Sequence, residues 1–361
     1  MNLAEQKIAC YFNRAYCYLT GSATSAMYLF FKTLKQNNGA VLFPAITCMA
    51  PVNAALYAGL SVTFCDINLQ DYTIDISSLK NRVKQDNILA IVPTHIYGHN
   101  CDIDNILSIA KKNGIAVLED AAQAVGGLHN EMRVGSFGDA SVVSFGHSKI
   151  LDCGGGGALL TDDIALYSEV SKLGKILPLR PESYDEQIEQ YRAAYYSIYG
   201  LMEYNRCFND VMLELQLNLR DLFVYAIDRV IEEEICHKLD QLENLTIERR
   251  IRKNLYDKFL DKRLFDVPVT NSGSACWRYC LLYKYGTKQL ISKIRSVGID
   301  VSNWYMALNN IYCDDLRLPN AEYLEEHIIN FWVMPSYSEN KIISDINIIN
   351  SILEQEQLAC P

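Results

Sequence analysis

From about residue 20 to 165 the chain alternates short apolar or β-branched runs with amphipathic stretches of helical period, and that alternation leaves few folds open. Ala40-Val41-Leu42-Phe43, Val62-Thr63-Phe64-Cys65, Ile88-Leu89-Ala90-Ile91-Val92 and Ile115-Ala116-Val117-Leu118 read as strands. Between them Ile103, Ile106, Leu107 and Ala110 recur at helical spacing and Gly114 supplies a stop, so Asp102 to Asn113 reads as a helix. Strands and helices in turn predict an α/β fold with a large, mainly parallel sheet covered by helices. Residues 166 to about 260 read as long helices rich in Glu, Arg, Leu and Tyr, within which the polar, tyrosine-rich Pro178 to Tyr204 reads as a mobile loop or an interface arm. From Trp277 to Glu354 the pattern is mixed again, with a strand at Arg278 to Tyr283, a helix at Thr287 to Val297 and a closing helix at Ile342 to Glu354. The division expected is a large domain over 1–240, with a divergent helical segment at 178–235, and a smaller C-terminal α+β domain over 241–361.

Composition narrows the function classes. A net charge of −10 without a sustained Lys/Arg stripe argues against nucleic acid as a partner, because phosphate neutralisation needs clustered cations. The twelve cysteines are scattered through a chain too large to need disulfide staples, and they read as thiols in a reducing cytoplasm. Cys276 and Cys280 have no second pair or nearby histidine to complete a zinc site, so no metal is expected. The first residues lack a basic region followed by an apolar core, and no apolar run reaches membrane-spanning length. A soluble cytoplasmic protein is the expectation.

Open α/β sheets bind ligands beyond the C-terminal ends of their strands. The run Ile115 to Leu118 delivers Glu119 and Asp120 to such an end. The run Ser141 to Phe145 leads to Lys149, which is followed by four consecutive glycines, Gly154 to Gly157. One carboxylate and one amine therefore point at the same crevice. Pyridoxal 5'-phosphate (PLP) requires that pairing: the lysine condenses with its aldehyde, and an acid keeps its pyridine nitrogen protonated. Gln123 is placed to meet the ring's phenolic oxygen one turn after Asp120. Thr24 and Ser25, at the start of an apolar helix, offer hydroxyls and free N–H groups to a phosphate, and Ser144 offers another hydroxyl. Taken singly, each of these has a plain structural reading. Thr24 and Ser25 can be ordinary helix caps, Asp120 likewise, and Lys149 a surface lysine. His147 reads as structural rather than as a base.

Taken together, the ordered blocks resemble the DegT/StrS family of PLP-dependent sugar aminotransferases, in the aspartate aminotransferase superfamily of fold type I. Ser22-Ala23-Thr24-Ser25-Ala26-Met27 is similar to the family's phosphate-binding S-G-T-x-A-L. Pro93-Thr94-His95-Ile96-Tyr97-Gly98 and Val117-Leu118-Glu119-Asp120-Ala121-Ala122-Gln123-Ala124 match two further signatures, and Ser144-Phe145-Gly146-His147-Ser148-Lys149 matches S-F-x-x-x-K. The resemblance implies that Lys149 binds PLP and moves the proton, that Asp120 pairs with the pyridine nitrogen, that Gln123 contacts the cofactor, and that Ser144, Thr24 and Ser25 hold its phosphate. It further implies a homodimer with active sites at the interface, an amino-acid donor such as L-glutamate, and a nucleotide-linked keto-sugar acceptor for amino-sugar or surface-polysaccharide synthesis. The chain departs from the family in three places. Gly155 stands where a glutamate is usual, Cys48 stands where an aromatic residue commonly stacks on the cofactor, and the G-x-N-x-R segment is replaced by weak candidates at Asn218-Leu219-Arg220 and Asn205-Arg206. Arg180, Arg192, Arg206 and Arg220 are the cations available to a diphosphate, supplied from the partner chain. Two other readings stay open: a PLP-dependent dehydratase or eliminase, against which Lys149 counts because dehydratase relatives carry histidine there, and a non-catalytic PLP-fold regulatory or assembly protein, which the Asp120, Gln123 and Lys149 set opposes.

Overall fold

Each of the apolar runs becomes a strand. The computed structural model describes residues 1–34, 38–202 and 204–359, with backbone alone at 357–359. The strands in chain order are β1 (Tyr16–Thr20), β2 (Ala40–Pro44), β3 (Ser61–Cys65), β4 (Ile88–Ile91), β5 (Ala116–Asp120), the short hairpin β6 (Leu128–His129) and β7 (Met132–Arg133), β8 (Ala140–Ser144) and β9 (Gly157–Thr161). Seven of them form one sheet in the order β1-β9-β8-β5-β4-β2-β3. β2, β3, β4, β5 and β8 run parallel, and β9 pairs antiparallel with both β8 and β1. The large, mainly parallel sheet expected from the sequence is what forms. Every residue of β8 and β9 is buried, as expected of strands covered on both faces.

The connections follow local rules. Asp102 caps the helix Ile103–Asn113 through the Asn105 N–H, and Gly114 ends it at φ 66°, a left-handed turn that costs glycine little. Ser22 caps the helix Ala23–Thr33 by accepting from Ser25 N. Within Pro178 to Tyr204, Tyr184–Met202 is a 19-residue α-helix, as expected of the helical segment at 178–235 and not the mobile loop. Its tyrosines explain the difference: Tyr191, Tyr195 and Tyr199 recur every fourth residue, so one aromatic stripe faces the protein while the polar remainder faces water.

A second sheet, β10 (Phe265–Asp266), β11 (Arg278–Tyr283) and β12 (Ile328–Trp332), is antiparallel in that order. Its two faces have separate tasks. Tyr279, Leu281, Tyr283, Ile329 and Phe331 join a core with Tyr256 and Leu353, from the helices Leu242–Phe259 and Glu339–Ala359, and with Leu260 just beyond the first. Cys280, Leu282 and Ile328 join the core of the large sheet. By the same pleat, Arg278, Asn330 and Trp332 lie on the inward face, since Arg278 pairs with Trp332 and Cys280 with Asn330.

The tightest approach to backbone near the sheet's ligand edge is at Gly157, where an added Cβ would lie 2.3 Å from Ala23 N and 2.5 Å from Ala23 Cα. Backbone cannot yield there as a flexible side chain would. Gly157→Ala is therefore expected to destabilise the protein by about 1–3 kcal/mol, the usual cost of overpacking. A thermal midpoint equal to that of the wild type would show that the helix Ala23–Thr33 can move away.

Candidate active site

The C-terminal ends of β5 and β8 bring the predicted residues together. Asp120, the last residue of β5, is buried, and one of its carboxylate oxygens accepts from Ala122 N at 3.0 Å. Its backbone is pinned on both sides, N–H to Pro93 O at 2.9 Å and C=O from His95 N at 3.1 Å. After β8 the chain enters a tight loop in which Ser148 has φ 62°, and Asp152 accepts from Ser148 N and Gly154 N, each at 2.8 Å. Trp277 Nε1 donates to Ser148 O at 2.7 Å, tying the loop to the start of β11. Lys149 is thereby held with its amine 5.5 Å from the centre of the Trp277 ring. Among the described residues no oxygen accepts a hydrogen bond from that amine.

The electrostatics follow from burial. Burial pulls the Lys149 amine below its ordinary value, against the opposing effects of Cys48 and Asp120. Burial likewise pushes the Asp120 carboxyl up, against the Ala122 N–H and Lys149. Both shifts favour neutral forms, and a neutral amine is the form that attacks a carbonyl. Cys48 sits at the N-cap of the helix Met49–Tyr57, beside Lys149 and Asp120, with its thiol pushed up by burial.

Of the hydroxyls predicted to hold a phosphate, Thr24 faces the cavity, at the second position of its helix, where backbone N–H groups are unpaired. The Ser25 hydroxyl faces elsewhere. It contacts Ser22 Oγ at 3.0 Å, donates to Phe223 O at 3.2 Å and accepts from Tyr225 N at 2.9 Å, so it fastens the 223–225 segment. Ser144 Oγ accepts from Gly146 N at 3.4 Å. Gln123 lies in a run of turns instead of on a helix, its amide oxygen accepting from Tyr97 N at 2.8 Å and its nitrogen donating to Tyr305 Oη at 3.1 Å. His147 is exposed, 3.8 Å from Asp152, as suits a structural role. Gly155 has room for a side chain, its nearest contact being Ile231 at 3.8 Å, so packing does not demand glycine there.

Next to this centre opens a cavity of about 290 Å³, walled by Thr24, Thr47, Cys48 and Asn53 on one side, by Tyr191, Tyr195, Tyr196 and Tyr199 on another, and closed by Trp304 and Tyr305. The sequence reading missed these aromatic walls, although the spacing of the tyrosines held the signal. Of the four arginines expected to serve a diphosphate, Arg192 lines the cavity, and it does so from within the same chain. Arg180 lies 3.8 Å from Asp228, Arg220 pairs with its neighbour Asp221, and Arg206 is exposed.

Comparison with known proteins fits this geometry. Residues 2–198 match the model of the DegT/DnrJ/EryC1/StrS aminotransferase family. The chain belongs to that family. With membership come the enzyme class and the cofactor: a PLP-dependent aminotransferase. The chain is 27% identical over 350 residues to UDP-4-amino-4,6-dideoxy-N-acetyl-beta-L-altrosamine transaminase of Campylobacter jejuni, covering 91% of this chain and 89% of that one. It is 33% identical over 164 residues to GDP-perosamine synthase of Escherichia coli O157:H7, and there the match spans only 45% of either chain. Helicobacter pylori PseC, an aminotransferase involved in the biosynthesis of pseudoaminic acid, shares the fold with a TM-score of 0.80 at 19% identity, over 98% of this chain and 91% of that one. The residues present suit PLP on their own evidence: an amine with no acceptor among the described residues and a strand-end carboxylate lie beside Cys48, which shares a cavity wall with the open hydroxyl of Thr24 at a helix start.

The cavity wall at 304–308 leans on a buried acid. Ala307 N donates to Glu325 at 3.3 Å, and burial pushes that carboxyl up to about 7. An acid held above its ordinary value keeps its proton in the folded state after the unfolded chain has lost it, so its effect on stability worsens from about pH 4.5 and levels off above about pH 7. Glu325→Gln should accordingly gain thermal midpoint over the wild type across that window and hold the gain at pH 8. A difference that does not change between pH 4.5 and 8 would show that Glu325 ionises freely.

Proposed function

We propose that the protein transfers an amino group from an amino acid, L-glutamate being the favoured donor, to a nucleotide-linked keto sugar in the cytoplasm, for amino-sugar or surface-polysaccharide synthesis. The observation that carries the reading is the meeting of the Lys149 amine and the Asp120 carboxylate beside one aromatic cavity. The sugar-nucleotide transaminase named above, matched over nine-tenths of the chain, supports the acceptor class.

The residues divide the work. Thr24 and the free N–H groups at the start of its helix would hold the cofactor's phosphate, with Ser144 nearby. Asp120 would keep a proton on the ring nitrogen, its burial making the carboxylate an effective proton partner. PLP, when bound, supplies an electron sink for the bond broken at the substrate carbon. Lys149 Nζ would anchor the cofactor and, once displaced by the donor's nitrogen, would take the proton from the donor's α-carbon as base and deliver it as acid to the carbon that carried the cofactor's aldehyde. The aromatic walls exclude water and offer flat faces to a sugar or base ring.

Lys149→Ala should give folded protein that no longer carries a pyridoxyl label after borohydride reduction and peptide mapping. A label on any other lysine of the wild type would refute the assignment. Asp120→Asn should keep bound cofactor yet lose about 10²–10³-fold in turnover, comparable to removing a preorganised electrostatic contact. Turnover at the wild-type rate would reduce Asp120 to a structural cap. We further propose a homodimer. Ile176, Leu179 and Val230 are 79%, 80% and 75% exposed in the single chain, an apolar presentation that association would cover. Sedimentation should show a dimer at micromolar concentration, and Arg192→Ala should raise KM for the acceptor about tenfold, the loss of one charge-assisted contact. A fully active monomer contradicts the first expectation and an unchanged KM the second.

A further inference from the structure

The inward face of the small sheet carries a group of buried side chains with donor atoms that have no partner among the described residues. Arg278 is 2% exposed, its guanidinium 3.5 Å from the centre of the Trp332 ring and 3.9 Å from that of Trp277. Its Nη1 donates to Trp277 O at 3.1 Å, and Arg249, equally buried, donates to the same carbonyl at 3.1 Å. Nε and Nη2 of Arg278 and Nε of Arg249 are buried without any partner, as are Trp332 Nε1 and Ser302 Oγ. Ser302 bridges Asn330, which stands on the same face as Arg278 and Trp332. Among the described residues no carboxylate lies within ion-pair distance of either guanidinium. Burial accordingly pulls Arg278 down to about 9 and Arg249 to about 10. Two adjacent buried cations without a counter-charge are costly, and an anion from outside relieves that cost.

We propose that Arg278, backed by Arg249, is the anchor for a carboxylate of the amino-acid donor. The inference rests on the aminotransferase reading and adds to it where the donor is held. Geometry selects the ligand. The unpartnered Nε and Nη2 of Arg278 form one edge of the guanidinium, the edge whose two parallel N–H groups match the two oxygens of a carboxylate. The Lys149 amine and the Arg278 guanidinium lie 5.5 Å and 3.9 Å from one ring centre, that of Trp277, so they stand less than ten ångströms apart. An amino acid whose nitrogen replaces the lysine amine has a carboxylate within that reach, whereas a sugar nucleotide's diphosphate carries bulky groups on both sides that a buried pocket excludes. The open cavity, with Arg192 on its wall, is left to the acceptor.

The test uses glutarate, a dicarboxylate with no amine to transfer, titrated into the purified full chain. Trp277 and Trp332 are two of only three tryptophans, so intrinsic fluorescence reports on the site. Wild-type protein should show a saturable fluorescence change and a rise in thermal midpoint, and Arg278→Met should bind at least tenfold more weakly. Without ligand, Arg278→Met should melt no lower than the wild type, because it removes an unpaired buried charge, whereas a purely structural arginine would cost stability when lost. Arg278→Lys, which keeps the charge and loses the paired N–H edge, provides a second variant and should also bind at least tenfold more weakly. In the half-reaction with glutamate, Arg278→Met should raise KM at least a hundredfold and change kcat less. Glutarate binding that is absent from the wild type, or unchanged in both variants, overturns the proposal, as does a lower melting point with unaltered affinity. Loss of binding to uridine diphosphate but not to glutarate would assign the site to the acceptor and overturn it too. Pyridoxyl labelling of Lys149 separates the two claims: Arg278-dependent glutarate binding without the label refutes the aminotransferase reading alone, and the label with glutarate-indifferent variants refutes the anchor alone.

Discussion

Glu119 is the tie on which the site's geometry depends. It is fully buried in β5 and accepts from His95 Nε2 at 2.9 Å, Gly135 N at 2.8 Å and Phe137 N at 2.7 Å. His95 Nδ1 accepts from Cys101 N, which leaves Nε2 as the ring nitrogen that donates to Glu119. A buried carboxylate is tolerable only when so many donors meet it, and here they come from the loop after β4 and the loop before β8. One carboxylate thus sets three segments in register. By the strand's alternation Asp120, the next residue, points to the opposite face, free of this task.

The centre of the site was legible because its residues sit where strand runs end. Asp120 follows Val117-Leu118-Glu119 and Lys149 follows Val142-Val143-Ser144-Phe145, and the parallel pairing of β5 with β8 needs no distant contact to bring them together. Side chains whose task is set by distant segments were not legible. The run Ala121-Ala122-Gln123-Ala124 has the composition of a helix start, yet Gln123 bonds Tyr305, 182 residues onward, and the backbone stays in turns. Ser25 looked like a phosphate hydroxyl for the same local reason, and its partners lie 198 and 200 residues away in the 223–225 segment. Arg278 gave no signal at all, since an arginine heading a strand is ordinary until the strand's pairing turns it inward.

The tyrosine helix shows another limit. Tyr184–Met202 buries no residue completely, so its composition is that of an exposed segment, and only the fourfold spacing of Tyr191, Tyr195 and Tyr199 marks the face that closes the cavity. A wall of this kind needs no apolar helix. Aromatic rings with polar tips can stand between protein and water on one side and ligand on the other. Asn53 and Gln216 supply the polar floor, Asn53 Nδ2 donating to Gln216 at 2.9 Å, and Tyr312 Oη donates to Asn53 at 2.6 Å.

A net charge of −10 and an interior holding the cations Lys149, Arg278 and Arg249 are consistent with each other once burial is considered. Surface charges are screened by water within about one Debye length, so the acidic exterior does little to the interior. Inside, aromatic walls and two sheets remove the screening, and a few unpaired cations act at close range. The same low-dielectric surroundings move Lys149 and Asp120 toward neutrality in opposite directions, so neither is locked to the other as an ion pair. An amine and a carboxylate fixed together in a tight salt bridge would have to be separated before either could work. Here the backbone holds them in place and burial holds them ready, and the partner each lacks is the molecule the cleft is shaped to receive.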